Sequence, residues 1–461
     1  MGDPEAATGW KTFQKIGLWG GMPGFFLEWL FSIGVVRWTA GAAFVVRGAF
    51  FFMVGNCYRG LNDLCWVSRV SGAGYWKRLA DGVIQRVIAG IKRDRKNILV
   101  DSYLASKASA RCAALYSITG GGGAHDIFRD VIVLKSPSTG EKGVILLKYA
   151  RTFDAVVAIF DLPRLLDRYL FVLEPCWAGY CDPSILMFLT PGHHVIVQCF
   201  TEEDHRFISS IGRPFIPVRL GPADWVDTDR FANVHTGDKT YDLVMVANWA
   251  AHKRHAELFR ALSQIRDRKI RVLLIGFPWG SRTADDIRRE AALAGNAAVE
   301  IDILEQVPQQ KLARHLSQCK VFVFLSRKEG DNKALVESMF VGLPAIVFDK
   351  TIGGARARIN PLTGILASDE ELSGKILYML DHYKEFSPRA WALKHSGSSM
   401  STRVLSDVIR RLASEAGEKF TEDIQEKTNS PNLAYKDSAR RDQFKQDYEF
   451  IRSCQRRSLK S

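Results

Sequence analysis

Residues 326–349 constrain the fold of this chain more than any other stretch. A short apolar run at 320–325 predicts a strand buried on both faces, and a polar turn follows it. Residues 333–340 then predict a helix that ends at a Gly-Leu-Pro sequence, and residues 345–348 predict the next buried strand. A strand–helix–strand unit belongs to a parallel α/β sheet and places the turn at its carboxyl edge, where such sheets bind ligands.

Two carboxylates, Glu329 and Glu337, flank the predicted start of this helix. The first backbone N–H groups of a helix lack intrahelical partners, and with the positive end of the helix dipole they suit a phosphate group. An ionised carboxylate accepts hydrogen bonds from hydroxyl groups. A diphosphate held between two polyols is the chemistry of a nucleotide sugar, so the pattern indicates a nucleotide-sugar site. The alternative is that both glutamates are solvated residues on a helix surface.

The sequence from Glu329 to Glu337 is Glu-Gly-Asp-Asn-Lys-Ala-Leu-Val-Glu. It resembles the E-x7-E element of retaining glycosyltransferases of family 4, the group 1 transferases. The resemblance implies a GT-B fold, in which two Rossmann-like, doubly wound parallel-sheet domains face each other across a cleft. It implies that Glu329 contacts the donor sugar as a catalytic residue and that Glu337 holds the ribose. The backbone amides of Asp331, Asn332 and Lys333 would hold the diphosphate.

The same resemblance implies basic residues after the first strand of the donor-binding domain, where the family grips the diphosphate with an arginine and a lysine. Lys253 matches the lysine, as a donor-binding and catalytic residue that stabilises the leaving diphosphate. An uncharged residue stands at the arginine position, and Arg254 is the donor-binding candidate that could compensate. Gly353 and Gly354 match a glycine-rich turn that approaches the donor. A surface lysine at a helix start is the alternative for Lys253.

Four consecutive glycines at 120–123 form the conspicuous loop of the N-terminal half. Glycines let a backbone approach a ligand closely, and the resemblance implies such a loop near the acceptor, with Gly121 and Gly122 as contacts. The family commonly has a histidine at the cleft, and His125 matches it as a catalytic residue. Glu174 and Tyr180 lie where a strand ends and are candidate acceptor contacts. A flexible surface loop and aromatic packing beneath a loop are the alternatives.

The chain of 461 residues is too long for one ordinary core, so we expect more than one domain. Residues 1–75 are expected to form an apolar helical extension and residues 76–235 an N-terminal, acceptor-binding Rossmann-like domain. Residues 236–395 are expected to form the nucleotide-sugar domain, and residues 396–461 a crossover helix with a charged tail.

Alternating apolar runs and amphipathic stretches predict the strands of both domains, with helices between them. In the first domain, strands are expected at 97–100, 131–134, 143–149, 169–173, 194–199 and 215–218. In the second domain, strands are expected at 241–247, 271–275, 298–303, 321–325 and 345–348.

Residues 16–54 are rich in Phe, Trp, Gly and Leu, but charged residues interrupt them before any uncharged run is long enough to span a bilayer. Tryptophans at positions 10, 19, 29 and 38 are of the kind found at membrane interfaces. We therefore expect a monotopic hairpin or an in-plane helix, peripheral to the cytoplasmic face of the inner membrane. A spanning helix and plain packing onto the core are the alternatives.

The net charge of +13 favours anionic partners, which are anionic lipid, phosphorylated substrates or nucleic acid. No zinc-finger or RNA-binding signature accompanies the charge, so no nucleic-acid partner is expected. The eight cysteines are scattered and do not make a zinc set, which predicts reduced thiols in the cytosol and no metal site. The expected partners are a nucleotide sugar, a glycan or lipid-linked acceptor, and an anionic membrane surface.

Together these patterns predict a membrane-associated, retaining glycosyltransferase of the hexosyltransferase type. It would transfer a sugar from a nucleotide-diphosphate sugar to a glycan or lipid-linked acceptor, such as a cell-envelope glycan. No cofactor is expected, and the family does not need a metal for the donor. A non-catalytic GT-B-like binding or scaffold protein at a membrane is the alternative. A dinucleotide-dependent oxidoreductase is disfavoured because the G-x-G-x-x-G fingerprint is missing.

Overall fold

The computed structural model describes residues 34–70, 74–118, 124–176, 182–231, 239–295 and 297–456. The chain divides into two compact units. The first unit contains the described residues up to Trp225 and those from Ser398 onward, and the second unit runs from Val226 to Gly397. The two units meet in the sequence at a 3-10 turn (Pro222–Trp225) and at the start of a long helix after Gly397.

Five helices open the first unit: α1 (Gly34–Met53), α2 (Cys57–Val70), α3 (Tyr75–Asp94), α4 (Ile98–Leu104) and α5 (Lys107–Ala114). Helices α1 and α2 pack closely at Gly48 and Gly60. A Cβ on Gly60 would lie only 3.0 Å from the Gly48 carbonyl oxygen. An Arg47–Asp63 ion pair with two 2.7 Å hydrogen bonds ties the same two helices together. Helix α2 also buries Leu61 in the core of the first unit. The second half of the predicted extension is therefore part of a folded unit.

The expected strand at 97–100 is wrong, because these residues begin helix α4. The Asn97 side chain caps the helix by accepting a 3.1 Å hydrogen bond from the backbone N–H of Leu99. A short apolar run such as Ile-Leu-Val fits a strand and a buried helix equally well. Tertiary packing decides between them, since Leu99 and Tyr103 are buried one helical turn apart.

The first unit contains a pair of short strands, β1 (Tyr116–Ser117) and β2 (His125–Asp126). It also contains a five-stranded sheet of β3 (Val131–Lys135), β4 (Gly143–Lys148), β5 (Tyr169–Glu174), β6 (Val195–Gln198) and β7 (Phe215–Val218). The helices between these strands are α6 (Ala150–Ile159), α7 (Leu162–Arg168), α8 (Pro183–Leu186) and α9 (Glu202–Ile211). Strand β3 pairs antiparallel with β4, and the remaining neighbours are parallel.

The strands of this five-stranded sheet lie side by side in chain order. Right-handed crossovers between parallel strands in sequential order place their helices on one face of a sheet. The doubly wound topology that we expected for residues 76–235 is therefore not found in this sheet. The C-terminal part of the chain packs against this sheet, where the Tyr169 hydroxyl donates a 2.6 Å hydrogen bond to Asp447.

The second unit contains a six-stranded sheet of β8 (Tyr241–Val246), β9 (Ile270–Gly276), β10 (Val299–Glu305), β11 (Cys319–Phe324), β12 (Ala345–Phe348) and β13 (Gly364–Ala367). Its helices are α10 (His255–Ser263), α11 (Ala284–Ala294), α12 (Gln309–Ser317), α13 (Lys333–Phe340), α14 (Leu372–His382) and α15 (Pro388–His395). All neighbouring strands are parallel, in the order β10-β9-β8-β11-β12-β13.

This order reverses between β8 and β11, which is the hallmark of a doubly wound sheet. The strands expected in residues 236–395 and the helix expected at 333–340 are confirmed to within a few residues. The fold class, α/β with two units built on largely parallel sheets, is confirmed as well. The reversal creates a crevice at the carboxyl ends of β8 and β11, where ligands of such sheets bind.

The C-terminal segment returns to the first unit with α16 (Ser398–Ala416), β14 (Lys427–Thr428), β15 (Ala434–Tyr435), α17 (Arg440–Gln443) and α18 (Lys445–Ser453). Leu405 and Ile451 are buried in the core of that unit. In the part of the chain that the structure describes, no helix is both long and apolar enough to cross a bilayer.

Candidate functional site

The loops after β8, β11 and β12 lie along the carboxyl edge of the second unit's sheet, at its topological switch point. Residues 247–254 follow β8, residues 325–332 follow β11, and residues 349–354 follow β12. The register of the strands keeps the loops adjacent, since Phe322 pairs with Val244 on one side and with Ala345 on the other. The residues that we expected to bind the donor lie in these loops or, for Lys333 and Glu337, in the helix that follows residues 325–332.

The loops after β11 and β12 continue to pair beyond the ends of their strands. The backbone N–H of Ile352 donates to the Arg327 carbonyl at 2.8 Å, and that of Glu329 donates to the Ile352 carbonyl at 2.9 Å. The N–H of Gly354 donates to the Gly330 carbonyl at 2.9 Å. The backbone of Glu329 is therefore held by the neighbouring loop.

Gly353 makes this pairing possible. Its φ is 130° and its ψ is −168°, a conformation that essentially only glycine adopts. A Cβ at this position would lie 1.8 Å from the Glu329 carbonyl oxygen. The glycine pair Gly353–Gly354 was predicted to approach the donor, and the structure shows that it approaches the backbone of the loop carrying Glu329.

Lys253 and Glu329 form an ion pair across the switch point. The Lys253 Nζ donates to Glu329 Oε1, and the lysine side chain is buried. Burial alone raises the pKa of Glu329, but the charge and hydrogen bond of Lys253, the nearby His252 and a hydrogen bond from Ser326 outweigh it, so the pKa lies below its usual value. Glu329 is therefore a carboxylate at neutral pH. Its Oε2 is buried and has no hydrogen-bond partner among the described residues.

Two histidines that the sequence did not single out flank Lys253. Burial and the charge of Lys253 lower the pKa of His252 to about 4. Burial, followed by the charges of Arg282 and Lys253, lowers the pKa of His255 to about 3. Both rings are therefore neutral at pH 7. His255 is fully buried, and neither of its ring nitrogens has a partner among the described residues.

The neutral, buried His255 should make folding sensitive to mild acid. Its folded pKa lies below the unfolded value of 6.5, so between pH 6.5 and about 3 only the unfolded chain binds a proton there. Stability therefore falls as pH falls through this range, by about 1.4 kcal/mol per pH unit. With His255→Phe, the loss of unfolding free energy between pH 7 and pH 5 should shrink by about 2 kcal/mol.

Urea unfolding of wild type and His255→Phe at both pH values measures this difference. The matched control is His395→Phe, which makes the same substitution at an exposed histidine. Parallel pH profiles for wild type and His255→Phe would contradict the prediction.

The turn before helix α13 is fixed by side chains at each position. Asn332 is the N-cap, and its Oδ1 accepts a 2.8 Å hydrogen bond from the Leu335 backbone. The carboxylate of Asp331 is buried and receives hydrogen bonds of 2.7 to 3.1 Å from the Arg358 guanidinium. Lys333 is the first residue of the helix and is half-buried. The Asp331 side chain is therefore engaged by Arg358, and binding of the diphosphate by the backbone amides of residues 331–333 stays a prediction.

Glu337 lies one turn into helix α13 and is only 4% exposed. Its Oε1 accepts a 2.6 Å hydrogen bond from Gln309, the first residue of helix α12. Such burial and anchoring do not fit a solvated surface glutamate, so that alternative is excluded for Glu337. Gln309 could not be found from the sequence, because it is distant in the chain and carries no motif.

Arg254 has a structural role that the sequence did not indicate. Its Nη2 lies 2.6 Å from both carboxylate oxygens of Asp369, and its Nη1 donates to the Leu325 carbonyl at 3.2 Å. The guanidinium also stacks over the Phe348 ring at 4.3 Å. Arg254 thereby ties together the carboxyl ends of β11, β12 and β13. The expectation that Arg254 replaces the missing phosphate arginine is not supported, because its hydrogen bonds are directed to the protein.

Replacing Arg254 by lysine should destabilise the protein by about 2 kcal/mol. Lysine keeps the charge but loses the planar fork that contacts Asp369 and Leu325 together, and it cannot stack in the same way. Chemical denaturation measures the change. Arg260→Lys is the control, because Arg260 lies near Asp369 on an exposed face and should change stability by less than about 0.5 kcal/mol. Equal stabilities of the Arg254→Lys and Arg260→Lys proteins would contradict the stabilising role of the Arg254 contacts.

Of the residues expected on the acceptor side, His125 and Glu174 lie in the described part of the first unit. His125 Nε2 is 2.8 Å from Asp130, and its ring meets Tyr116 edge-on at 5.4 Å. Glu174 is fully buried and accepts hydrogen bonds from Lys427 at 2.7 Å and Asn429 at 2.9 Å. These contacts place the Glu174 carboxylate inside the protein, where an acceptor would not reach it. Gly121, Gly122 and Tyr180 lie outside the described residues.

Residues 240–382 match the family model described as Glycosyl transferases group 1. The chain is 23% identical over 230 residues to GDP-Man:Man(3)GlcNAc(2)-PP-Dol alpha-1,2-mannosyltransferase of Xenopus laevis. The aligned region covers 48% of this chain and 43% of that relative. This chain thus matches less than half the length of the relative. The family match includes Lys253, Glu329, Glu337 and Gly353, so the carboxyl edge described above lies within it.

Two solved structures are similar to the chain at low identity. Sucrose-phosphate synthase from Thermosynechococcus elongatus is 14% identical with a TM-score of 0.47, covering 59% of this chain and 74% of that one. Anabaena HepE in complex with UDP is 13% identical with a TM-score of 0.44, covering 59% of this chain and 78% of that one.

Proposed function

We propose that this protein is a retaining glycosyltransferase of family 4, which transfers a sugar from a nucleotide-diphosphate sugar to a glycan or lipid-linked acceptor. The observation that carries the proposal is the arrangement around helix α13. A buried Glu337 anchored by Gln309, a Lys253–Glu329 ion pair and an Asn332-capped helix start all lie at the switch point of a doubly wound sheet. The family match over residues 240–382 supports the same reading.

Each part of the arrangement has a role in the proposed transfer. Glu337 accepts hydrogen bonds from the ribose hydroxyls, and the first amides of helix α13 hold the diphosphate. The unpartnered Oε2 of Glu329 accepts a hydrogen bond from a hydroxyl group of the donor sugar. As the anomeric carbon forms its new bond to an acceptor oxygen, its bond to the diphosphate breaks, and the electron pair leaves with the diphosphate, which takes up the acceptor's proton. The Lys253 ammonium stabilises the negative charge that develops on the leaving diphosphate. The proposed step uses no metal ion, as the family resemblance implies.

Thermal or chemical denaturation in the presence of UDP, GDP or ADP tests the donor site. At about 100 times its dissociation constant, the correct nucleotide should raise the free energy of unfolding by roughly 2.7 kcal/mol. The Glu337→Gln protein should lose this gain in the free energy of unfolding, because an amide cannot accept hydrogen bonds from two ribose hydroxyls as a carboxylate does. Glu300→Gln is the control, since Glu300 is an exposed residue of β10. The proposal fails if none of the three nucleotides stabilises the wild-type protein.

A non-catalytic binding protein is the second candidate, and one observation favours it. Arg254 is committed to Asp369 and Leu325, so it does not restore the phosphate arginine that the resemblance leads one to expect. Incubation with the sugar donor of the stabilising nucleotide separates the two. Release of free nucleotide at a rate proportional to enzyme concentration supports a transferase. Binding without any release, with or without a glycan acceptor, supports the binding protein.

We further propose that helix α1 docks on an anionic membrane surface as a peripheral anchor. Val35, Trp38, Val46, Phe50 and Met53 are each more than half exposed. At the helical rotation of about 100° per residue, they fall within an arc of about 120° on one face. The opposite face is held against helix α2 by the Gly48–Gly60 contact, so the apolar stripe faces away from the packed layer.

Aromatic and basic residues beside the stripe fit the interface of an anionic bilayer. The Trp38 ring lies 5.4 Å from Trp76, which in turn contacts the exposed Tyr75. Exposed Arg59 and Arg78 flank these helices. Tryptophan and tyrosine favour the headgroup level, and arginine is attracted to anionic lipid, which the cytoplasmic leaflet supplies. The Xenopus relative is named for a dolichol diphosphate-linked acceptor, and a lipid-linked acceptor would be reached from such an anchored position.

Vesicle co-sedimentation tests the anchor. The wild-type protein should bind phosphatidylcholine vesicles more strongly when they contain phosphatidylserine. A double variant, Val46→Glu with Phe50→Glu, should weaken binding at least about tenfold, because it puts two charges where apolar side chains enter the bilayer. Leu293→Glu is the control, since Leu293 is 88% exposed but belongs to the second unit. Equal sedimentation of the wild-type protein and the double variant overturns the proposal.

A further inference from the structure

Three polar atoms in the paired loops after β11 and β12 are buried without a hydrogen-bond partner among the described residues. They are Glu329 Oε2, Asp349 Oδ1 and Thr351 Oγ1. Buried polar atoms in folded proteins nearly always have a partner, so each such exception calls for an explanation. Three exceptions in one pair of loops point to a ligand that supplies the missing partners.

The backbone keeps these three residues in one place. Strands β11 and β12 are in register at Phe324 and Val347, and Asp349 is the first residue after β12. Beyond the strands, the Glu329 and Ile352 backbones are joined by a 2.9 Å hydrogen bond, which places Thr351 beside the Glu329 loop. Asp349 and Thr351 therefore border the same part of the carboxyl edge as Glu329, on the side away from β8.

The chemistry of the three groups restricts the ligand. An ionised aspartate or glutamate only accepts hydrogen bonds, and a threonine hydroxyl can donate and accept. The partner must therefore present several donors, as the hydroxyl groups of a sugar do. Lys253 neutralises Glu329, whereas no cation within 4 Å faces Asp349 among the described residues. No cation at this position would therefore offset the repulsion between the Asp349 carboxylate and a carboxylate of the ligand.

We propose that Asp349 and Thr351 bind hydroxyl groups of the transferred sugar, and that Asp349 selects a neutral hexose over a uronic acid. This inference rests on the proposed function, because it assumes that the sugar of the donor lies beside Glu329. Glu329 and Thr351 contribute affinity for any sugar with free hydroxyls. Asp349 discriminates between a neutral hexose and a uronic acid, because it accepts a hydrogen bond from a hydroxyl group and repels a carboxylate.

Binding measurements on the wild-type protein, Asp349→Asn and Thr351→Val test the inference. The ligands are the nucleoside diphosphate that stabilises the wild-type protein, its hexose derivative and its uronate derivative, for example UDP, UDP-glucose and UDP-glucuronate. The wild-type protein should prefer the hexose to the uronate by about tenfold or more. Asp349→Asn should reduce this preference to about twofold or less, and Thr351→Val should weaken hexose binding about fivefold. Neither variant should change the affinity for the free nucleoside diphosphate.

Two further variants keep the test decisive. Thr351→Ser retains a hydroxyl and should bind the hexose donor like wild type, so the Val–Ser pair separates hydrogen bonding from packing. Asp381→Asn removes an exposed aspartate that pairs with Arg268 and should leave all three affinities unchanged. If Asp349→Asn fails to fold, the wild-type protein tests the selection, and equal affinities for the hexose and uronate derivatives overturn it, while the Thr351 pair tests the hydroxyl contact.

The outcomes distinguish this inference from the proposed function. If the wild-type protein binds none of the nucleotides, the proposed function fails and the inference fails with it. If nucleotide binding is intact but Asp349→Asn and Thr351→Val match wild type for the hexose and the uronate, only the inference is overturned.

Discussion

Replacing Lys253 by methionine is expected to lower kcat for sugar transfer by roughly 100- to 1000-fold. The ammonium is the cation that pairs with Glu329 and lies beside the proposed diphosphate site, where negative charge grows as the sugar leaves. Removing one preorganised electrostatic contact to such a charge typically has an effect of this size. Methionine preserves much of the volume of the lysine stem, so loss of packing contributes little.

The same substitution should also change the stability of the protein, and a double variant separates the two effects. Lys253 lowers the pKa of Glu329 against the opposing effect of burial. Without Lys253, burial favours the protonated form, so an ionised Glu329 becomes costly at neutral pH. Adding Glu329→Gln removes that carboxylate and should restore stability without restoring kcat. A Lys253→Met protein with kcat within about threefold of wild type would contradict the proposed role.

Gly353→Ala is expected to destabilise the protein by about 4 kcal/mol. The backbone conformation at φ 130° is essentially confined to glycine, which contributes strain of about 1–3 kcal/mol. The added methyl would lie 1.8 Å from the Glu329 carbonyl, and forced overpacking contributes about 1–3 kcal/mol more. Because the obstacle is backbone, relief requires the Glu329 loop to move, so nucleotide-sugar binding should weaken as well.

Gly374→Ala is the matched control for this substitution. Gly374 lies in helix α14, and a Cβ there would have no heavy atom within 4 Å. Alanine favours helices over glycine by up to about 1 kcal/mol, so this variant should be slightly more stable than wild type. Denaturation of the two variants in parallel measures both changes. Similar stability of the Gly353 and Gly374 variants would contradict the close approach of the two loops.

Five of the six strands of the second unit's sheet could be predicted from the sequence, because they are short apolar runs separated by clear turn and helix signals, whereas β13 was not expected. The first unit was predicted less well. The Ile-Leu-Val run at 98–100 carries no periodicity that separates strand from helix, and Asn97 capping with packing of Leu99 makes it helical. Strand order in its sheet depends on which strands meet in space, so a local pattern could not reveal the sequential arrangement.

The candidate site shows the same division. Glu329, Glu337 and Lys253 could be found from motif and spacing, because a ligand-binding loop needs those residue types near one helix start. The role of Arg254 could not, since its partner Asp369 is 115 residues away and follows another strand. Gln309, which anchors Glu337, and the unpartnered Asp349 and Thr351 carry no local signal either.

The sequence by itself determined the α/β class, the strand–helix–strand unit and the two carboxylates at the start of helix α13. These features depend on local hydrophobic patterning and on chemistry within a few residues, and both can be read from the sequence without knowledge of distant contacts. Only the tertiary structure decided that Arg254 joins three strands, that Gly353 lies against the Glu329 backbone and that Glu174 is buried against Lys427. Those outcomes depend on contacts between residues distant in the chain, and such contacts exist only once the sheets have assembled.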